Sequence, residues 1–157
     1  MRFGFSNARM GTTGQVPLGW LQPLDVIQAL MSNFLFVTLG GAIGSGARYL
    51  LASGVHALLG VAFPFGTLAV NAIGSFLICA IMHMGTTAHV ISPSLRLFLT
   101  TGLMGGFTTY SAFDYETYRY TQQGAYALAA LNVGLTLVVC FIAGATGDTV
   151  AKFLFRG

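Results

Sequence analysis

Apolar side chains in this chain come in long, nearly unbroken runs of about twenty residues, the length a helix needs to cross a lipid bilayer. Four runs stand out, at 34–53, 67–83, 93–120 and 125–154. The breaks between them carry turn chemistry. Phe63-Pro64-Phe65-Gly66 precedes the second run, Ser92-Pro93 offers a hydroxyl cap and a first-turn proline to the third, and Gly124 marks the turn into the fourth. The pattern predicts an all-α integral membrane protein with four transmembrane helices.

The few polar positions inside the runs are spaced at helical period. Gly40 and Gly44, with Gly41 and Ser45 beside them, give the first helix a flat face for close helix contact. Arg48 continues that face, as a snorkelling interfacial arginine or as an inward charge, which at membrane depth is usually functional. Thr67, Asn71 and Ser75 recur every fourth residue on the second helix; Asn132, Thr136, Cys140 and Gly144 do so on the fourth. One such stripe alone is explained by interhelical hydrogen bonding. Two together suit a water- or ion-lined track. His56, His83 and His89 fall at helix ends or in loops, where solvated surface is the expectation.

The third run is interrupted. Gly105-Gly106 is followed by Phe107, Thr108, Thr109, Tyr110 and Ser111, poor material for a continuous helix because glycine and adjacent β-branched residues both disfavour it. A break is expected at Gly105-Gly106. In lipid a broken helix survives only inside protein or along a wet path. Tyr110 and Phe113 stand among the hydroxyls of Thr108, Thr109 and Ser111. Hydroxyl donors and positive ring edges suit an anion, and freed carbonyls suit a cation. An ion site in mid-membrane follows.

Composition agrees. Of 157 residues, 55% are hydrophobic and 7% charged, against about a quarter charged in soluble domains. A net charge of +3, scattered along the chain, gives no basis for nucleic-acid binding. Cys79 and Cys140 lie within predicted helices and read as small packing residues. Residues 1–30 lack a signal-peptide pattern and are expected to be a tail or a misassigned upstream start, with the four-helix transmembrane domain at 31–157. Residues 24–31 within them offer one or two amphipathic turns. Basic residues are spread too evenly to orient the helices strongly.

GGFTTYSAF (Gly105–Phe113) is similar to the GGxTTFSxF signature of the Fluc/CrcB fluoride channels, GTLAVNAIG (Gly66–Gly74) to that family's GTLxVNxxG, and GAIGSGAR (Gly41–Arg48) to its first helix. The resemblance covers the chain from about residue 31 onward. It implies a passive, fluoride-selective channel of the cell inner membrane, built as an antiparallel, dual-topology homodimer surrounded by lipid. A partner copy is also implied by size, since four helices do not easily enclose a pore. The implied pathway places fluoride against Phe113 and the edge of Tyr110, with Asn71, Thr109, Ser111 and Thr136 donating hydrogen bonds and Arg48 near the vestibule. The carbonyls of Gly105 and Thr108 would hold a structural sodium ion. Tyr110 replaces the family's phenylalanine, and Asp114 a residue that is usually small.

Other classes fit less well. A small proton-coupled drug antiporter needs a membrane-embedded carboxylate, and 34–53 contains none. A non-transporting scaffold leaves the polar cluster at the helix break unexplained. An enzyme would need a nucleophile–base pair or ligand cluster at membrane depth, and the sequence offers none.

Overall fold

The computed structural model describes residues 23–155, which are helical with no strand among them. The chain divides into two compact units, Met1–Ser32 and Asn33–Gly157. Of the first, the described residues form the opening turns of a helix, with Asp25 in the first turn; the expectation for residues 1–22 lies outside the described residues. The elements in order are α1 (Pro23–Leu59), α2 (Phe65–Thr86), α3 (Pro93–Leu97), a π-helical segment (Phe98–Met104), α4 (Gly105–Phe107), α5 (Tyr110–Gln122) and α6 (Tyr126–Leu154). Three helices, α1, α2 and α6, are long and apolar enough to span a membrane. The third predicted span is a composite of shorter pieces.

α1 is longer at both ends than the apolar run suggested, since nothing from Pro23 onward breaks a helix. It ends where Gly60 takes a left-handed conformation (φ 78°) and returns its N–H to the His56 carbonyl at 2.9 Å. Between residues 33 and 59 its glycine face does what the spacing predicted. A Cβ on Gly40 would sit 2.7 Å from the Phe98 carbonyl oxygen, and one on Gly44 would collide with that of Leu103. Gly106 makes the reciprocal approach, against the backbone of Gly41. The two backbones therefore touch.

The segment lying against this face is the π-helical one. Thr100 donates its hydroxyl to the Arg96 carbonyl at 2.8 Å, competing with the main-chain ladder. Gly105 N–H accordingly reaches back to the carbonyl of Thr100, five residues away. The widened turn presents Gly102 to α1, where a Cβ would lie 3.1 Å from the Cα of Gly40.

α2 and α6 run parallel, with their polar stripes face to face and in one register. Cys79 faces Gly144, His83 meets Asp148, and Ser75 and Cys140 line the same groove. Gly147 fits against the main chain of Phe76, with no room for a side chain. The buried apolar core, Val70, Ile81, Met104 and Phe107, joins α2 to the composite third rod.

Candidate ion site at the helix break

The break lies at Thr108 and Thr109, past the glycine pair expected to cause it. Gly105–Phe107 remain helical, while Thr108 (φ −77°, ψ 159°) and Thr109 (φ −150°, ψ 113°) are extended. Gly106 is needed for close approach to Gly41. Asn71 of α2 holds the interruption in place: its Nδ2 donates to the Thr109 carbonyl at 2.9 Å, and its Oδ1 accepts from the Thr109 N–H at 2.8 Å. The amide thus replaces the helical partners that Thr109 gives up. The Thr109 hydroxyl then caps α5 by accepting from Ala112 N–H at 3.2 Å, and lies 3.3 Å from that of Ser111. Two β-branched residues in extended geometry, a side-chain amide clamp and a hydroxyl cap make the break a built feature.

On one side of the break the α2 and α6 stripes line a groove of about 720 Å³. Asn71, Thr109, Tyr110, Phe113 and Thr136 share it, and it extends past both cysteines to Asp148. Phe113 is buried, whereas Tyr110 is 77% exposed on the protomer surface. Their ring centroids are 5.7 Å apart with planes tilted at 57°, so the two rings do not stack face to face. Ser111 is exposed at the start of α5 and reaches this group through Thr109. Asn132 leaves the group: it is 2% exposed and donates to the Thr117 hydroxyl at 2.9 Å, pinning α6 to α5. Asp114 is exposed.

On the opposite side a smaller cavity of about 370 Å³ is lined by Ser45, Arg48, His56, Thr67 and Thr109. Arg48 Nη1 reaches the Thr108 carbonyl at 3.4 Å, and the Ser45 hydroxyl reaches that of Gly106 at the same distance. Arg48 therefore faces the break. His56, expected as an exposed loop residue, is half-buried in the last turn of α1. Its Nε2 would lie 2.8 Å from a Cβ on Gly66, so that glycine makes room for the ring. Glu116, passed over in the sequence, is the acceptor for Thr67, whose hydroxyl donates to Oε1 at 2.6 Å. Its Oε2 is buried without a hydrogen-bond partner. The signal was its position one turn beyond Phe113 in α5.

The carbonyls proposed for a cation can be weighed on this geometry. Thr108 is extended, so its oxygen points out of the helical ladder, and its one partner is the long Arg48 contact. Gly105 is exposed, and a Cβ there would meet nothing nearer than the Thr100 carbonyl oxygen at 3.9 Å. Neutral carbonyl oxygens are the donor type that a hard cation takes. Farther along the groove, His83 is buried, against its expected exposure, because Asp148 pairs with it at 3.3 Å while also holding Lys152 at 2.5 Å.

A helical bundle with three membrane-length helices defines a multi-pass membrane protein, and the groove of hydroxyls, amide and aromatic rings beside its clamped helix break is the candidate site. The chain belongs to the family described as CrcB-like protein, Camphor Resistance (CrcB), whose model matches residues 35–148. It is 48% identical over 127 residues to the fluoride-specific ion channel FluC of Sorangium cellulosum, covering 81% of this chain and all of that one. The FluC channels of Geobacter sulfurreducens and Anaeromyxobacter sp. strain K are 47% and 46% identical over 124 residues, each covering 79% of this chain and 100% and 98% of theirs.

Proposed function

We propose that this protein is a passive fluoride channel of the cell inner membrane that lets fluoride leave the cytoplasm and so limits its toxicity. The observation that carries the reading is the meeting of two polar stripes with the Asn71-clamped break and the Phe113 ring in one groove. Relatives matched over nearly their whole length are named fluoride-specific channels. In this reading Phe113 and Tyr110 turn electropositive ring edges to the dehydrated ion. Thr109, Ser111, Thr136 and the second N–H of Asn71 donate to it; the first N–H is committed to Thr109. Arg48 supplies positive potential at the approach to the break.

The working unit is an antiparallel, dual-topology homodimer in lipid. Support comes from the groove, which lies open along Tyr110, Leu137 and Phe141, all exposed on the single protomer. A second copy would close it and exclude lipid from the track. The Gly105 and Thr108 carbonyls of two protomers would hold a sodium ion, whose charge ties the two breaks together.

Reconstitution tests the function directly. Liposomes carrying the protein are loaded with fluoride or chloride, and efflux is followed with ion-selective electrodes. Fluoride efflux far above that of protein-free vesicles, with chloride strongly disfavoured, is expected. Equal fluxes of the two halides, or none from well-folded protein, would overturn the reading.

A further inference from the structure

The groove wall carries two thiols with no role in the ion track. Cys79 on α2 and Cys140 on α6 are both free and partly accessible, and both line the groove. Because the helices run parallel in register, Cys79 lies level with Gly144, and Cys140 stands one turn earlier on the same face of α6. The two cysteines therefore stand on opposite walls of the groove, offset along the helix axes by one turn, a rise of about 5.4 Å. The absent side chain at Gly144 keeps the space beside Cys79 open; a Cβ there would stand 3.1 Å from Sγ.

We propose that Cys79 and Cys140 form a two-thiolate site for a soft divalent cation that accepts linear coordination, with Hg²⁺ as the probe. A metal–thiolate bond is about 2.3 Å long in zinc sites, and two end to end come close to the one-turn rise. Thiolates select soft metals, whereas hard cations want oxygen. A tetrahedral site is not available, because no group of three or more His, Cys, Asp or Glu among the described residues is placed to hold a metal. Asp148, the next acidic group along the stripe, is already paired with His83 and Lys152. Charge balance favours the site as well. One Hg²⁺ replaces two thiol protons, which leave to solvent, and the bis-thiolate product is neutral. An apolar-walled groove thus gains no net charge.

The site sits in the wall of the track, so its effect on flux rests on the fluoride-channel reading, whereas its existence does not. The test uses the full chain, purified and reconstituted, titrated with mercuric ion while free thiols and bound mercury are counted. One mercury per protomer, with both thiols lost together, is expected. Cys79→Ser and Cys140→Ser should each release mercury to a monothiol competitor at concentrations at least tenfold lower than wild type does. Two mercuries per protomer bound independently, or a single-cysteine variant that retains mercury as firmly as wild type, would overturn the paired site. In the flux arm, mercury should stop fluoride efflux through wild type and leave the double serine variant conducting. Efflux that continues with mercury bound one to one would leave the metal site standing and remove the groove as the track.

Discussion

Asn71 satisfies both main-chain polar groups of Thr109, donating to its carbonyl and accepting from its N–H. One side chain on α2 thereby replaces the two helical hydrogen bonds that the third rod gives up at its break. Asn71→Leu removes both bonds and strands the partner groups, at about 1–3 kcal/mol each. We expect a clear fall in the thermal unfolding midpoint in detergent and at least a tenfold loss of fluoride efflux. Asn71→Asp keeps the acceptor but sets a carboxylate against the Thr109 carbonyl, so it should also fail. An unchanged midpoint in Asn71→Leu would show that the break stands without the clamp.

The two rings are expected to differ in importance. Both line the groove, but Phe113 is buried there and Tyr110 is exposed at its open side. Phe113→Ile should abolish fluoride efflux, while Tyr110→Phe stays near or above wild type, because it returns the position to an unmodified ring edge. The comparison is flux per amount of reconstituted protein. A dead Tyr110→Phe beside an active Phe113→Ile would reverse the assigned roles.

Glycines on α1 divide by what faces them. A Cβ on Gly44 meets the Phe107 nitrogen at 2.9 Å, besides colliding with Leu103, whereas nothing lies within 4 Å of one on Gly46. Gly44→Ala should cost about 1–3 kcal/mol through backbone displacement. Gly46→Ala should be neutral or stabilising by up to about 1 kcal/mol, from helix propensity. Thermal unfolding of the two variants side by side decides it; equal midpoints would contradict the close approach of α1 to the third rod.

Gly105 offers a sharper separation of protomer from assembly. Its surroundings within one chain leave room for a side chain, so Gly105→Val should fold. If its carbonyl helps to hold sodium between two copies, the variant should nonetheless lose dimer on size-exclusion chromatography and lose fluoride efflux, whereas Thr108→Ser should be mild. Full activity in Gly105→Val would argue against a central cation.

Much of this arrangement was legible in the sequence because it is written in helical periods. The Gly40/Gly44 face, Asn71 and Ser75 on α2, and Thr136, Cys140 and Gly144 on α6 lie where their spacing placed them, whereas Thr67 turns to Glu116 and Asn132 to Thr117. Period alone gives a face, however, and does not say which face it meets. His83 looked solvated because its partner, Asp148, is 65 residues away on α6. Glu116 was missed for the same reason, since Thr67 lies on another helix. The break was misplaced because glycine in sequence signals both a weak helix and a close contact. At Gly106 the contact prevails, and the interruption falls on the two threonines, the second of which Asn71 clamps.

The π-helical segment bears on how this chain can tolerate length changes. Each α-helical residue turns the chain by about 100°, and the wide turns from Phe98 to Met104 absorb an angular excess before the rod reaches Gly105. Removing one residue there, for example Leu99, would let the segment relax into a tighter α-helix. Everything downstream would then stay nearly in phase, because a π-turn holds about one residue more than an α-turn. The same deletion in the α-helical turn Pro93–Leu97 finds no such slack: Gly106 would rotate away from Gly41, and Thr109 away from the amide of Asn71, although every one of those residues would still be present. The segment acts as a phase shifter, and in this stretch the number of residues matters as much as their identity.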